Sequence, residues 1–260
     1  MATVSEIVEQ FRTAFGTVPS DVNDYVCRFC LGPVAPEYNQ CYGCLRLLLT
    51  DHISGGRSVV APPEIQDRIV AMTTALNPSP WYSYLATYKR GRLEEYGPVL
   101  AALTFAYLER HTARMADLLG GPWTQLTVVP SKRGFAFADQ PLVKALSMVR
   151  PLRDQLAHML VHVPGEKWGR QEYHPDAFQP GPVHVQGKRL VILEDAWVTG
   201  ATAVSAAGAL LRDGAASVVI LSIARVVNRD YWSDPDHPYR KAMGVPYDLD
   251  NWPRQVEQTD

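Results

Sequence analysis

Cysteine is absent outside residues 27–44, no apolar run is long enough for a membrane, and neither sign of charge prevails. The longest apolar stretch, Pro98 to Leu108, falls well short of the roughly 20 residues that a spanning helix needs. No membrane segment is expected. The first fifteen residues carry Glu6 and Glu9 and lack a basic start followed by an apolar run. This predicts no secretory leader and a cytoplasmic location. Lys and Arg number 25 against 27 Asp and Glu, a net charge of −2, which argues against capture of nucleic acid by the whole surface. A local basic patch stays open. Internal repeats, low-complexity tracts, Gly-x-Gly-x-x-Gly and Gly-x-x-x-x-Gly-Lys-Ser/Thr are also missing, which weakens dinucleotide and P-loop readings.

What is present is a globular composition. The chain has 260 residues, 47% hydrophobic and 20% charged, enough for one full domain and a small accessory one. Thr3 and Glu6 fit a capping box ahead of Val4, Ile7, Val8, Phe11, Ala14 and Phe15 at helical spacing, so residues 1–20 read as an N-terminal helix. Residues 21–56 hold all four cysteines and end in Ser54-Gly55-Gly56, a flexible joint by composition. Pro63 starts an expected helix with Ile65, Ile69, Met72 and Leu76 on one side, making residues 57–80 a linker helix stopped by Asn77-Pro78-Ser79-Pro80.

Beyond Pro80, alternation of Tyr82, Tyr84, Ala86 and Tyr88 predicts a strand, followed by helix from about Leu93 to Leu119 with a kink or restart at Gly97-Pro98. Leu126–Val129 reads as a buried strand, Asp139–Leu160 as helix broken at Pro151, and Arg189–Leu193 as a strand. Ala201–Asp213 reads as a helix ended by Gly214, and Ser217–Ile223 as a strand. Strands alternating with helices over residues 81–228 specify an α/β domain with a mainly parallel sheet flanked by helices. Residues 229–260 form a C-terminal extension to which the pattern assigns no structure.

Cys27-x-x-Cys30 and, ten residues on, Cys41-x-x-Cys44 can present four thiolates to one tetrahedral ion, with Gly32 and Gly43 easing the turns. Soft sulfur ligands favour zinc, and a closed four-ligand shell makes the site structural. An iron–sulfur centre, a redox Cys-x-x-Cys or unconnected cysteines are the competing readings. A segment this small draws much of its folding free energy from the metal.

The most informative run is Arg189-Leu190-Val191-Ile192-Leu193-Glu194-Asp195-Ala196-Trp197-Val198-Thr199-Gly200-Ala201-Thr202. An apolar strand leads to two adjacent carboxylates, then to a short loop whose N–H groups and two hydroxyls converge at a helix N-terminus, where an anion is favoured. In parallel sheets ligands bind beyond the carboxyl ends of strands, where this loop belongs. Beside a bound phosphate, Glu194 and Asp195 suit sugar hydroxyls or the placing of Mg²⁺. A second strand end, Val129-Pro130-Ser131-Lys132-Arg133-Gly134, offers two cations and a hydroxyl that can neutralise a diphosphate.

The first run resembles the PRPP-binding motif of type I phosphoribosyltransferases, PRPP being 5-phosphoribosyl 1-diphosphate. The family usually has Thr-Thr-Gly where this chain has Val198-Thr199-Gly200, so one hydroxyl is missing while the backbone donors survive. The resemblance implies that Val198, Thr199, Gly200, Ala201 and Thr202 take the 5-phosphate. Ser131, Lys132 and Arg133 would take the pyrophosphate with Mg²⁺, and Glu194, Asp195 and Lys132 form the catalytic set. It also implies a mobile loop between Pro164 and Gly187, where Lys167, Arg170 and His174 are equal candidates for a role at the reacting centre.

A four-cysteine ribbon ahead of such a domain resembles the ComF (competence protein F) group. The likeness extends to Tyr88-Lys89-Arg90, Arg133-Gly134-Phe135, Ala177-Phe178 and Ile223-Ala224-Arg225. The chain departs from that group's Arg-Gly-Phe-Asn-Gln by reading Arg133-Gly134-Phe135-Ala136-Phe137, with Gln140 displaced, and by its longer C-terminus. The activity implied is transfer of the phosphoribosyl group to a nitrogen acceptor with release of pyrophosphate. The alternatives are a PRPP-binding regulator and a DNA-associated protein working through the ribbon. Lys89, Arg90 and Arg92 are the basic strip on which nucleic acid, the less favoured partner, depends. Trp197, Tyr231, Trp232 and Trp252 are stacking candidates for an acceptor the sequence does not identify. A homo-oligomer is compatible with the sequence.

Overall fold

A computed structural model of the chain describes residues 3–19, 23–54, 56–165, 171–228 and 234–253. Helix α1 (Val4–Phe11) starts on the expected box, in which the Thr3 hydroxyl accepts from the Glu6 N–H and the Glu6 carboxylate from the Thr3 N–H. The cysteine segment leads into α2 (Tyr42–Leu48), capped by the Cys41 sulfur. Strands β1 (His52–Ser54) and β2 (Arg57–Val59) then pair antiparallel, so the residues flanking the expected joint belong to one hairpin. Then come β3 (Ile69–Asn77), α3 (Pro80–Thr87), α4 (Leu93–Arg110), α5 (Thr112–Leu119) and β4 (Gln125–Val128). The second half holds α6 (Pro141–Leu146), α7 (Arg150–Gln155), β5 (Leu160–His162), β6 (Phe178–Pro180), β7 (Arg189–Trp197), α8 (Ala201–Arg212), β8 (Ser217–Asn228) and α9 (Pro238–Met243).

The central sheet is four-stranded and all parallel, ordered β3-β8-β7-β4. A parallel sheet covered on both faces needs continuous apolar strands, and Val218–Leu221 and Leu190–Leu193 are each essentially inaccessible. One face carries α8 and the cysteine segment, the other α3 to α7. Leu190, Ile192, Val218 and Ile220 point into the first core, and Val191, Leu193, Val219 and Leu221 into the second.

Two elements change type from the sequence expectation, and the helical stretch expected over Asp139–Leu160 divides before Pro151, which sits in the first turn of α7, with Leu160 opening β5. The linker helix expected over residues 57–80 is instead the short 3₁₀ turn Pro63–Ile65 and strand β3, the sheet's fourth member. Ile65, Ile69, Met72 and Leu76 mimic helical spacing, but the intervening Val70, Ala71, Thr73, Thr74 and Ala75 are buried too. Burial on both faces removes the polar side that a surface helix requires. The outer edge of β3 is closed by Gly16, whose N–H and carbonyl exchange hydrogen bonds of 3.0 and 2.7 Å with Thr74. A Cβ at Gly16 would sit 2.4 Å from the Thr74 oxygen.

Conversely, the expected strand over Tyr82–Tyr88 is helix α3 and a 3₁₀ turn, Tyr88–Arg90. Its buried residues, Trp81, Leu85 and Tyr88, follow helical intervals. Ser79 caps it by accepting from the Tyr82 N–H at 3.1 Å, with Pro80 in the first turn. Ser79-Pro80 therefore begins a helix rather than stopping one. Helix α4 does not restart at Pro98; the long helical run divides at His111, between α4 and α5.

Candidate functional site

The sulfur atoms of Cys27, Cys30, Cys41 and Cys44 all lie within 4.8 Å of one another, with Cys30 and Cys41 at 3.7 Å. Four sulfurs about 2.3 Å from one tetrahedral ion are spaced close to 3.8 Å, so the set fits zinc. The knuckle is shaped by the backbone. The Cys27 N–H donates to the Gly32 carbonyl at 2.7 Å and the Leu31 N–H to the Cys27 carbonyl at 2.9 Å, with Leu31 left-handed at φ 55°. Cys27, Cys30 and Cys44 belong to the same apolar cluster as Leu190, Ile192 and Trp197 of β7, so the four-cysteine cluster shares the core of one sheet face.

Strand β7 extends past Leu193 through the acidic pair to Trp197. Because β7 alternates its side chains, the two acids diverge instead of jointly facing the loop. Asp195, 8% exposed, follows Val191 and Leu193 onto the second face and accepts from the Tyr88 hydroxyl at 2.5 Å. It is also ion-paired with Lys89. Glu194 belongs to the other face, and its Oε2 is buried without a hydrogen-bond partner among the described residues. Burial foremost, then the charge of Asp195, pushes its carboxyl up to about 8, against the pull of Lys89 and Lys132. Burial lowers the Lys132 ammonium from its ordinary value, although Glu194 favours its charge. Desolvation, and then Asp195, raises the Tyr88 phenol well above its usual range.

Beyond Trp197 the chain turns through Val198 and Thr199 to Gly200, left-handed at φ 79°, and enters α8. A Cβ at Gly200 would lie 2.0 Å from the buried Trp197 ring, so only glycine fits. The N–H groups of Val198, Thr199, Gly200, Thr202 and Ala203 have no acceptor among the described residues, and that of Ala201 has only the Thr199 hydroxyl at 3.5 Å. Together with the helix N-terminus they form a cluster of donors facing away from the sheet. The two carbonyls of the turn are used: Arg225 Nη1 donates to Trp197 and Val198 at 3.0 and 2.9 Å. Burial opposes the Arg225 charge, but Cys30, Tyr239, Cys41 and Cys44 favour it and the net shift is upward.

The loop after β4 lies beside this turn because β4 pairs with β7, Val128 opposite Leu193. Ser131 donates its N–H to Gln140 Oε1 at 3.1 Å, and the Ser131 hydroxyl accepts from the Arg133 N–H at 3.3 Å. Lys132, Arg133 and Phe135 are exposed. Gln140, displaced in sequence, thus returns to brace this loop. Strand pairing brings Ser131, Lys132 and Arg133 to the same sheet end as Val198–Thr202.

In the segment expected to be a mobile loop, Lys167 and Arg170 lie outside the described residues. Of the described part, Tyr173, Ala177 and Phe178 are buried and the His174 N–H donates to Ser205 of α8 at 2.9 Å, whereas Pro164, Gln179, Pro180 and His184 are exposed. Of the basic strip, Lys89 pairs with Asp195 and Arg92 with Glu95, leaving Arg90 without an ion pair among the described residues. Trp197 is core and Trp252 stacks against Tyr107 at 6.0 Å, whereas Tyr231 and Trp232 are outside the described residues. Tyr88 and Arg225 belong to triplets that the sequence comparison singled out, but their contacts, Tyr88 with Asp195 and Arg225 with the turn after β7, are created only by the fold.

No protein-family model matches the chain, and no curated protein matches it. Among solved structures, the chain is similar to an HPRT whose invariant aspartic acid is replaced by glutamic acid, at 16% identity, covering 53% of this chain and 85% of that one, TM-score 0.30. It is likewise similar to the hypoxanthine phosphoribosyltransferase of Trypanosoma cruzi, at 15% identity over 52% of this chain and 81% of that one, TM-score 0.30. A hypoxanthine phosphoribosyltransferase from Staphylococcus aureus aligns at 16% identity over 55% and 85%, TM-score 0.25. No described helix is long and apolar enough to cross a membrane.

Proposed function

We propose that this chain is a ComF-like phosphoribosyltransferase that binds Mg²⁺-PRPP and transfers its phosphoribosyl group to a nitrogen nucleophile, releasing pyrophosphate. One observation carries the reading: an unused set of N–H donors at Val198–Ala203 opens directly beyond two acids at the carboxyl end of β7. Such a cluster stabilises a phosphate monoester dianion, and the adjoining acids suit what a sugar phosphate has and inorganic phosphate lacks, ribose hydroxyls.

In this reading the bond from C1 of the ribose to a diphosphate oxygen breaks while a nitrogen–C1 bond forms, and positive charge develops on the ring. Asp195, its carboxylate fixed by Tyr88 and Lys89 three residues before the donor cluster begins, is the negative group assigned to that charge. Lys132 and Arg133 meet the departing pyrophosphate from the neighbouring strand end. Asp195 with the substrate's own phosphate oxygens makes a donor set suited to Mg²⁺. When bound, the ion supplies charge neutralisation on the leaving group. The four-cysteine centre is structural zinc in the same reading.

The test is calorimetry of Mg²⁺-PRPP binding to wild type and Asp195→Asn, coupled to a pyrophosphate-release assay over a panel of nucleobases and amines. Saturable binding, weakened on the order of tenfold in Asp195→Asn, with pyrophosphate release for at least one acceptor, is the expected result. Binding without turnover across the panel replaces transfer by sensing, and absence of binding overturns the reading.

A further inference from the structure

Arg225 is an unusual cation. It is 9% exposed, and no carboxylate forms an ion pair with it among the described residues. A buried guanidinium needs a counter-charge, and the groups beside it belong to the cysteine knuckle. A Cβ at Gly32 would stand 2.6 Å from Nη2 and 2.8 Å from Nε, so the bare Gly32 backbone lies against the guanidinium. Four thiolates around a zinc ion carry a net charge of −2, a matching partner for one buried cation. The knuckle is also gripped from the far side: the Tyr239 hydroxyl of α9 donates to the Leu31 carbonyl at 3.0 Å.

The other amino group of the same guanidinium meets the turn after β7. The two N–H groups of Arg225 Nη1 are shared among three carbonyls, those of Trp197 and Val198 in the turn at 3.0 and 2.9 Å and that of Val226 at 2.8 Å. In a planar trans peptide the N–H points opposite to the C=O. Fixing the Trp197 carbonyl therefore turns the Val198 N–H outward, and fixing the Val198 carbonyl does the same for the Thr199 N–H. These are two of the unused donors.

We infer that Arg225 is a positioning residue that hangs the anion-binding turn on the cysteine module, so that the metal centre presets the amides of Val198 and Thr199 for a phosphate. The reading of that turn as a 5-phosphate cradle supplies the ligand for this inference, but the preset amides are measurable without one. Coupling of this kind is reciprocal: a phosphate bound at the turn raises the affinity of the cysteines for metal by the same factor by which the metal raises the affinity for phosphate.

The experiment uses the zinc-loaded full chain as wild type and Arg225→Lys, which keeps the charge and loses the fork. Gly32→Ala is the second variant, approaching the same contact from the module. Zinc content verifies that each variant is folded, and the measurements use whichever variant retains one zinc per chain. First, ¹⁵N relaxation of the Val198 and Thr199 amides is recorded without ligand; their order parameters are expected to fall from about 0.85 to below about 0.6 in the variant. Second, ribose 5-phosphate is titrated, with affinity expected to drop on the order of tenfold. Third, zinc affinity is measured by equilibrium competition with a chelator with and without ribose 5-phosphate, which is expected to raise it in wild type and leave the variant unaffected. Unchanged amide order in a zinc-loaded variant overturns the inference, whatever the ligand does. Wild type that binds no ribose 5-phosphate, together with loosened amides in the variant, overturns the function proposed above and leaves the positioning role standing.

Discussion

The turns after β4 and β7 leave adjacent strands at the same end of the sheet, yet they are built in opposite ways. After β7, the Trp197 N–H donates to Ser222 at 3.1 Å, its carbonyl and the next are held by Arg225, and Gly200 is wedged against the buried ring. After β4, one buried side chain, Gln140, braces Ser131, and the following Lys132, Arg133 and Phe135 are exposed, Lys132 only in part. The difference follows from which atoms each turn offers. Backbone amides recognise an anion only if the backbone is already set, since every degree of freedom frozen on binding subtracts from affinity. Cationic side chains reach their target on flexible stems and tolerate a loose backbone.

The largest expected effect strikes the support of the rigid turn. Cys30 is buried in the cluster that contains Trp197 and the apolar residues of β7. Removing the metal with a chelator, or replacing Cys30→Ser, is expected to lower Tm by about 10 °C or more in calorimetry. A shift under about 2 °C would show that the sheet face stands without the metal.

Glycine substitutions set the two turns directly against each other. Gly200 and Gly134 both have positive φ, 79° and 70°, but a Cβ at Gly200 lands 2.0 Å from Trp197, whereas one at Gly134 meets nothing within 4 Å. Gly134→Ala is expected to cost about 1 kcal/mol from the left-handed backbone alone. Gly200→Ala adds overpacking and is expected to cost about 3 kcal/mol in urea unfolding. Equal costs would mean that the ring moves aside and that the turn is not rigid.

This contrast also explains what could be read in the sequence. The cysteine pairs, the β7–turn–α8 run and the strand before Ser131 are local patterns, and each lies where its spacing puts it. Periodicity failed where burial on every side erased the polar face: β3 read as a helix because Ile69, Met72 and Leu76 happen to fall three and four apart. It failed again in α3, where alternating tyrosines concealed Trp81, Leu85 and Tyr88 at helical intervals. The contacts made by Arg225, Tyr88 and Lys89, whose triplets the sequence comparison singled out, were illegible for another reason. Arg225 lies in the strand next to β7, and Tyr88 and Lys89 come more than 100 positions before Asp195, so only sheet order brings them together.

Glu194 tests how dry the rigid side is. Its ordinary carboxyl value is 4.5, and burial with the charge of Asp195 raises it to about 8. Below pH 4.5 the folded and unfolded chains both hold the proton, and the group adds no pH dependence. Between 4.5 and 8 the unfolded chain has released it while the folded chain keeps it, so stability falls as pH rises, and the loss is complete above 8. Glu194→Gln, which has no proton to lose, is expected to match wild type near pH 4.5 and to exceed it at pH 8 by on the order of 1 kcal/mol. A gain that is flat with pH would place Glu194 in water.

The smallest effect on stability belongs to the loose turn. Lys132 and Arg133 are exposed and add little to the fold, so Lys132→Ala and Arg133→Ala are each expected to stay within about 0.5 kcal/mol of wild type in urea unfolding. Their effect falls instead on pyrophosphate, titrated as the Mg²⁺ complex, with affinity lowered on the order of fivefold for each variant and by less as salt is raised, because solvent-exposed charges are screened. Ribose 5-phosphate, which has no diphosphate, should bind both variants as it binds wild type. If the alanine variants weakened the two ligands equally, the two turns would act as one unit, and the division between a preset backbone cradle and a flexible cationic grip would fail.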